Sequence, residues 1–316
     1  MTTETKWAWL FPGQGAQAVG MGKDVAEAHT AARSVFDEAD EALAESLSTL
    51  CFEGPMEVLT QTANTQPAIV ATSMAFLAAL RARFPELPRP ACAAGHSLGE
   101  YSALCAAGVI SVADAVRVCR ARGQAMQAAV PVGVGAMAAV MGLQGDEVAS
   151  VCMEASGDET VSCANFNAPT QTVIAGHAAA VQRASTVAKT AGARVIPLKV
   201  SAPFHCALMS PAREGLAVAL DDVSYGRAAF EVLANIDATP RSDETTLRAA
   251  LLEQVDQPVQ WVKTIEHMRD RGVTHALEIG PGRVLAGLVK RIAPEIKVIN
   301  INKVDAFDKV VEFLEL

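Results

Sequence analysis

Residues 95–99 form the pentapeptide Gly-His-Ser-Leu-Gly, which lies between a short apolar run, residues 92–94, and a longer apolar segment, residues 101–107. A G-x-S-x-G motif in this context predicts a strand, a sharp turn that exposes the serine, and a helix whose N-terminus faces the serine. Ser97 is therefore the candidate nucleophile. The alternative is a serine that only caps the helix.

Composition limits the classes of protein to which this chain of 316 residues can belong. Its 51% hydrophobic residues allow a large core, which excludes a disordered chain. The formal net charge of −9 argues against a nucleic-acid-binding protein, since such proteins present a basic surface. The seven cysteines include no C-x-x-C pair, which indicates reduced thiols. Because the apolar runs are also too short for a signal peptide or a membrane span, we expect a cytoplasmic globular protein.

Strand-like runs alternate with helix-like segments, which predicts an α/β fold. Residues 136–200 follow the order strand, helix, strand, strand, helix, strand, which is the βαββαβ order of a ferredoxin-like unit. We expect a large α/β-hydrolase-like domain with a parallel sheet, built from residues 1–131 and 201–316, and a small inserted domain of residues 132–200. A cleft between the two domains is the expected place for a site.

The spacing of apolar residues predicts the bounds of individual elements. The predicted strands include residues 6–11 and 92–95, and the predicted helices include residues 67–83, 112–128, 208–220 and 259–271. Thr30 and Ser111 stand where N-caps are expected.

A serine hydroxyl is a weak nucleophile until a base within hydrogen-bond reach takes its proton. Five of the six histidines occupy places that do not suit this base: surface positions for His29 and His267, structural positions for His177 and His275, and for His96 a place beside the serine from which it points away. His205 lies where the chain returns from the insert, which favours a position over the cleft. The alternatives are that His205 only packs beneath the next helix, or that Cys206 is itself the nucleophile, facing away from His205.

Further motifs follow one another along the whole chain, at residues 11–15 (Phe-Pro-Gly-Gln-Gly), 95–100 (Gly-His-Ser-Leu-Gly-Glu), 122–123 (Arg-Gly), 203–205 (Pro-Phe-His), 254 with 258–261 (Gln; Pro-Val-Gln-Trp) and 278–282 (Glu-Ile-Gly-Pro-Gly). In this order and content the chain resembles the malonyl-CoA:acyl carrier protein transacylases of fatty-acid and polyketide synthesis. The set is far more specific than any single motif.

The resemblance implies roles for the residues that match. Ser97 is acylated and His205 is the general base, while the backbone N–H groups of Gln14 and Leu98 stabilise the oxyanion. An N–H next to an elbow serine is also suited to that task on physical grounds. In place of an aspartate, the backbone carbonyl at the position of Gln254 orients the histidine ring.

The resemblance also implies which residues bind the acyl group. Arg122 would clamp the free carboxylate of malonyl, although by itself it could be a solvated cation near a helix end. Phe204 accompanies selection of malonyl over methylmalonyl, because its ring fills the room of an α-methyl group. Asn167 matches a polar position that faces the cleft, although an asparagine before Ala-Pro also suits a simple turn.

These inferences predict a ping-pong acyltransferase that moves malonyl from coenzyme A to an acyl carrier protein. Coenzyme A is then a substrate, no cofactor or metal is implied, and we expect a monomer with no nucleic-acid or membrane partner. The alternatives are a serine hydrolase or esterase, for which water is the acceptor, and a non-catalytic module that docks a carrier protein.

Overall fold

The computed structural model describes residues 6–314, which contain a six-stranded and a four-stranded sheet with helices packed on both. The strands, in chain order, are β1 (Lys6–Phe11), β2 (Cys92–Gly95), β3 (Gly135–Met141), β4 (Val161–Ala168), β5 (Gln171–His177), β6 (Arg194–Pro197), β7 (Glu231–Leu233), β8 (Pro240–Arg241), β9 (Val273–Ile279) and β10 (Lys297–Ile301).

The helices of the described residues vary from one turn to six turns in length. They are α1 (Lys23–Ala28), α2 (Thr30–Leu43), α3 (Leu47–Glu53), α4 (Met56–Leu59), α5 (Thr62–Arg83), α6 (Gly99–Ala106), α7 (Val112–Ala128), α8 (Gly145–Ser156), α9 (Ala178–Thr190), α10 (Ala212–Asp221), α11 (Glu244–Gln254), α12 (Trp261–Asp270), α13 (Val284–Ile292) and α14 (Phe307–Leu314). Short 3₁₀ turns cover Ala207–Met209 and Val304–Ala306. Over residues 6–314, we find no helix with the length and apolar character that a membrane crossing requires.

The six-stranded sheet has the order β10-β9-β1-β2-β7-β8, and its strands are parallel except β8, which runs antiparallel to β7. The first strand lies between β9 and β2, where Phe11 pairs with Gly95. The loops that leave β1 and β2 therefore begin side by side at the carboxyl edge of the sheet. That edge is where open parallel sheets bind their ligands.

Side chains of β1 alternate between two apolar cores, one on each face of this sheet. Trp7, Trp9 and Phe11 pack into one core, and Ala8 and Leu10 pack into the other. Because both faces are covered, the strand is a continuous apolar run in the sequence.

The four-stranded sheet is antiparallel, with the order β4-β5-β3-β6. Its elements follow as strand, helix, strand, strand, helix, strand, which is the predicted order. Helices α8 and α9 cover it, and the helices and the sheet share an apolar core of their own that includes Val140, Val148, Ile174 and Val181.

The four-stranded sheet is joined to the segment before α12 by a short parallel bridge between Asn165 of β4 and Val259. The Phe166 N–H donates to the Val259 carbonyl, and the Val259 N–H donates to the Ala164 carbonyl, both at 2.9 Å. These bonds hold the chain extended at Val259. For this reason α12 begins at Trp261 and not at the predicted residue 259.

Other predicted bounds differ where a proline or a tertiary contact acts. The predicted helix over residues 208–220 is divided into a 3₁₀ turn and α10, which begins after Pro211. Helix α5 begins at Thr62, one turn before Pro67. Its added turn is held by a hydrogen bond that Thr65 Oγ1 donates to the carbonyl of Leu59, the last residue of α4. The N-cap of α2 is His29, so the predicted cap at Thr30 is wrong.

The predicted N-cap at Ser111 is confirmed, since its Oγ accepts a hydrogen bond from the Asp114 N–H at 3.0 Å. The predicted bounds of β1, β2 and α7 also agree with the structure.

We predict that Gly95→Ala lowers the free energy of unfolding by about 3 kcal/mol or more, because overpacking against backbone cannot relax. An added Cβ would lie 1.8 Å from the backbone carbonyl of Gly99. Denaturant unfolding measures the loss. The matched control is Gly287→Ala in α13, where an added Cβ has no atom within 4 Å. This variant should gain up to about 1 kcal/mol from helix propensity, and equal losses in both variants would contradict the prediction.

Candidate active site

Ser97 lies in a sharp turn between β2 and α6, with a positive φ of 53°. Such a backbone conformation costs energy in a non-glycine residue, and the surrounding contacts must hold it. The Ser97 N–H donates to Asn235 Oδ1, and Asn235 Nδ2 donates to the Gly95 carbonyl, both at 2.7 Å. One asparagine side chain thus connects the two sides of the turn and keeps the serine hydroxyl directed into the cavity.

His205 is the partner of the serine, and its Nε2 lies 2.7 Å from Ser97 Oγ. Its Nδ1 lies 2.8 Å from the backbone carbonyl of Gln254. Because a carbonyl can only accept, Nδ1 carries the proton and Nε2 is free to accept the serine proton. The backbone of His205 is also in the left-handed region, with a φ of 59°.

The surroundings of His205 favour its neutral form. The side chain is 3% exposed, and burial together with the nearby Arg122 charge lowers the pKa of His205 to about 3. The ring is therefore neutral throughout the pH range near 7, as a general base must be before it accepts a proton.

Arg122 of α7 is 1% exposed, and it points at the same place. Its Nη1 donates to Gln66 Oε1 and its Nη2 donates to Gln254 Oε1, both at 2.7 Å, while Nη2 lies 3.3 Å from Ser97 Oγ. None of the ion pairs found within residues 6–314 includes Arg122. A buried guanidinium whose partners are neutral amides provides a site for an anion.

These groups surround a cavity of about 120 Å³ between the two sheets. Residues from both sides line it: Gln14, Gln66, His96, Ser97, Arg122, Met126, Met137, Asn165, Leu198, Val200, Phe204 and His205. A larger cleft of about 680 Å³ shares the lining residues Gln14, Leu198 and Val200 and leads outward. The arrangement accommodates a small acyl group inside and a longer chain outside.

The backbone N–H groups of Gln14, which lines the cavity, and of Leu98 have no protein acceptor among the described residues. Leu98 follows the serine and directly precedes α6, whose N-terminus carries partial positive charge. Free donors at a helix N-terminus beside a nucleophile can stabilise an oxyanion.

The structure brings together most of the site residues predicted from the sequence. Gln14, Ser97, Arg122, Phe204 and His205 line the cavity, with Leu98 and Gln254 directly behind it. Asn167 lies outside that lining.

Asn167 contacts His96 instead of the cavity. Its Oδ1 is 2.8 Å from His96 Nε2, and both residues line a separate cavity of about 190 Å³.

Three residues that were not predicted from the sequence hold the predicted residues in place, namely Gln66, Glu100 and Asn235. Glu100 is the last residue of the motif at residues 95–100, and Asn235 follows the carboxyl end of β7, where polar residues commonly reach a site. Both positions could have been recognised from the sequence as candidate site residues. Gln66 could not, because it lies in the first turn of α5, which was not predicted. Residues 6–314 contain no group of three His, Cys, Asp or Glu side chains that could hold a metal ion.

Comparison with known proteins agrees with this geometry. The Acyl transferase domain family matches residues 8–302. A malonyl CoA-acyl carrier protein transacylase from Haemophilus influenzae is 46% identical over 98% of this chain and 99% of its own length. A solved structure of the transacylase of that name from Coxiella burnetii superimposes with a TM-score of 0.95, at 38% identity and 98% coverage of both chains.

A second solved structure contains a type II polyketide synthase acyl-carrier protein in complex with its malonyl-transacylase. It is 42% identical to this chain, covers 98% of it and 100% of that chain, and has a TM-score of 0.94. Likeness of this extent covers both sheets and the cavity between them, and the chain therefore belongs to the malonyl CoA-acyl carrier protein transacylase family.

Proposed function

We propose that the protein transfers a malonyl group from coenzyme A to the phosphopantetheine thiol of an acyl carrier protein, through an ester on Ser97. The observation that carries the proposal is the contact of Ser97 Oγ with His205 Nε2, beside a buried Arg122 that has no carboxylate partner among the described residues. The first feature supplies a nucleophile and its base, and the second supplies a place for a free carboxylate.

In the first half-reaction, Ser97 Oγ attacks the thioester carbonyl while His205 Nε2 takes the hydroxyl proton. The carbon–sulfur bond breaks, and the proton passes from His205 to the departing coenzyme A thiolate. In the second half-reaction, His205 takes the proton of the carrier-protein thiol, which attacks the Ser97 ester. The proton then returns to Ser97 Oγ, so the enzyme is regenerated.

Both half-reactions pass through a tetrahedral oxyanion, for which we assign the N–H groups of Gln14 and Leu98 as donors. Their lack of protein acceptors among the described residues supports this assignment, because donors that are already free need no rearrangement when charge develops. The Gln254 carbonyl holds His205 in the tautomer that the proton transfers require.

We assign malonyl recognition to Arg122 and Phe204. The 3.3 Å from Arg122 Nη2 to Ser97 Oγ suits a short acyl group whose far end is a carboxylate. Arg122 Nε has no hydrogen-bond partner among the described residues, so the guanidinium has one N–H donor that is still unpaired. Phe204 lines the same cavity and would crowd an α-methyl group, which disfavours methylmalonyl by about 1 to 3 kcal/mol.

The larger cleft is the proposed path of the phosphopantetheine arm, since it shares the lining residues Gln14, Leu198 and Val200 with the cavity that contains Ser97. A serine hydrolase is the less favoured candidate, because a buried Arg122 has no evident use in it. The proposed chemistry uses coenzyme A as a substrate and needs no metal or other cofactor.

We further propose that residues 132–200 are a ferredoxin-like domain and that residues 1–131 and 201–316 are one α/β-hydrolase-like domain. The separate core of the small sheet and the strand order β4-β5-β3-β6 support the first assignment. The serine turn between β2 and α6 supports the second. Seven free cysteines support a location in the cytoplasm.

Brief exposure to malonyl-CoA should add the mass of one malonyl group to the intact protein, located on Ser97 by peptide mapping. Phosphopantetheinylated carrier protein should remove the group far faster than water does. Ser97→Ala should abolish the adduct. Cys206→Ala should keep it, because the Cys206 thiol donates a hydrogen bond to the Pro203 carbonyl and is not directed at the substrate. An adduct lost equally fast to water would favour the hydrolase, and an adduct on Ser97→Ala would reject the nucleophile.

His205 should remain a neutral imidazole, protonated on Nδ1, from about pH 8 to about pH 5, since its pKa is lowered well below the ordinary 6.5. Nitrogen-15 NMR of labelled histidine measures the tautomer, with the signal assigned from His205→Ala. That variant should also slow acylation by about 10²- to 10⁴-fold. Titration of the ring near pH 6.5 would contradict this description.

Arg122→Ala should lower kcat/KM for malonyl-CoA far more than for acetyl-CoA, because only malonyl presents a carboxylate. The ratio of the two constants should fall by about 10²-fold or more, since losing the partner of a buried charge costs about 3 to 5 kcal/mol. Arg117→Ala is the matched control, since Arg117 lies on the same helix with an exposed side chain. Equal losses for both thioesters would remove Arg122 from substrate recognition.

A further inference from the structure

Glu100 is a buried carboxylate directly beside the site, and the mechanism above gives it no task. It lies in the first turn of α6 and is 2% exposed. Its Oε2 accepts hydrogen bonds from Gln254 Nε2 at 2.8 Å and from the Asn235 N–H at 3.0 Å. None of the ion pairs within residues 6–314 includes it. Burying such a group is costly, which points to a role for it.

The side-chain amide of Gln254 lies between Glu100 and Arg122. Its Nε2 donates to Glu100 and also to the Ser97 carbonyl, at 2.9 Å, while its Oε1 accepts from Arg122 Nη2. An amide has one donor end and one acceptor end, and rotation by half a turn exchanges them. In the reversed orientation the NH₂ group would face the guanidinium, and neither group could accept.

We infer that Glu100 is a positioning residue for substrate selection, which fixes the Gln254 amide so that its oxygen faces Arg122. A carboxylate only accepts hydrogen bonds, so it accommodates the NH₂ end of Gln254 and excludes the oxygen end. Arg122 is thereby held in the lining of the cavity, beside Ser97 Oγ. This inference rests on the proposed transfer of malonyl, because it concerns the choice between acyl groups with and without a terminal carboxylate.

The charge of Glu100 serves the same end. Burial raises the pKa of Glu100 to about 7, while its hydrogen bonds and the charges of Arg122 and Arg241 act in the opposite direction. Tyr101, the adjoining residue, is neutral because burial raises its pKa strongly. Glu100 is therefore ionised above about pH 7 and becomes neutral as the pH falls. A neutral carboxyl group can also donate, so it no longer excludes the reversed amide.

Glu100 has a second contact that distinguishes two possible effects. Through the Asn235 backbone it also supports the turn that holds Ser97. Loss of that support would slow acylation by every thioester alike. Reversal of the Gln254 amide would also remove its bond to the Ser97 carbonyl, but it would slow acylation by malonyl-CoA more, because only malonyl depends on Arg122 as well. The ratio of kcat/KM for malonyl-CoA to that for acetyl-CoA separates the two effects.

The test is this ratio in Glu100→Gln, which keeps the size of the side chain but can present a donor to Gln254. We expect the ratio to fall by about tenfold, as the loss of one hydrogen bond to a charged group predicts. The double variant Glu100→Gln with Arg122→Ala should have the ratio of Arg122→Ala alone. Glu278→Gln is the matched control: Glu278 is 0% exposed and accepts from the backbone of α13, so its loss should lower stability without changing the ratio.

Each outcome decides between the alternatives. A wild-type protein without preference for malonyl would reject the proposed function, whatever the variants do. With that preference present, equal losses for both thioesters in Glu100→Gln, or additive losses in the double variant, would overturn the inference.

If Glu100→Gln does not fold, two other measurements take its place. In the wild-type protein, the ratio of kcat/KM for malonyl-CoA to that for acetyl-CoA should fall as the pH is lowered from about 8.5 to about 5.5. His205 does not titrate in this range. Glu100→Asp, which keeps the charge but shortens the side chain, should lower the ratio less than Arg122→Ala does. A ratio that is unchanged in both measurements would overturn the inference.

Discussion

Direct backbone contact between the loop after β1 and the turn after β2 is the constraint on which the site depends. An added Cβ would lie 2.5 Å from the His96 carbonyl at Gly13 and 2.4 Å from the Phe11 carbonyl at Gly99. The His96 N–H donates to that same Phe11 carbonyl at 3.0 Å. Because no side chain separates the two segments, Gln14 lies beside the turn that contains Ser97 and Leu98, although the two are far apart in sequence.

The site separates a neutral base, His205, from two charged side chains, Glu100 and Arg122. His205 is oriented by a carbonyl and not by a carboxylate, so no fixed negative charge stabilises its protonated form. The negative charge in this neighbourhood is placed on Glu100, on the far side of Gln254 from Arg122. The arrangement keeps the base neutral and leaves the arginine available to an anion from outside.

Much of the fold could be predicted because each strand or helix is encoded by its own residues. The apolar run of β1 and the cap at Ser111 act locally, and the structure agrees with both. The first turn of α5 could not be found in this way. It precedes Pro67, and contacts with other elements hold it, among them the hydrogen bond that Arg122 donates to Gln66.

The site residues also divide into those with a local sequence signal and those held only by contacts with distant parts of the chain. Ser97 lies in a motif, and His205 was found by excluding the other histidines. Asn235 acts through contacts with the serine turn, which lies more than a hundred residues earlier in the chain. No local pattern records a partnership of that kind, although its place after a parallel strand is a signal for future sequences.

The bridge between Asn165 and Val259 has a consequence for how a long thioester is accommodated. It ties the small sheet to the segment that follows Gln254, and two backbone hydrogen bonds resist separation of the two. Two parts of the chain that are tied in this way move little relative to each other when a ligand binds. The flexible pantetheine arm then loses conformational entropy when it binds. The entropic cost of binding is therefore set by the ordering of the ligand and not by the movement of a lid.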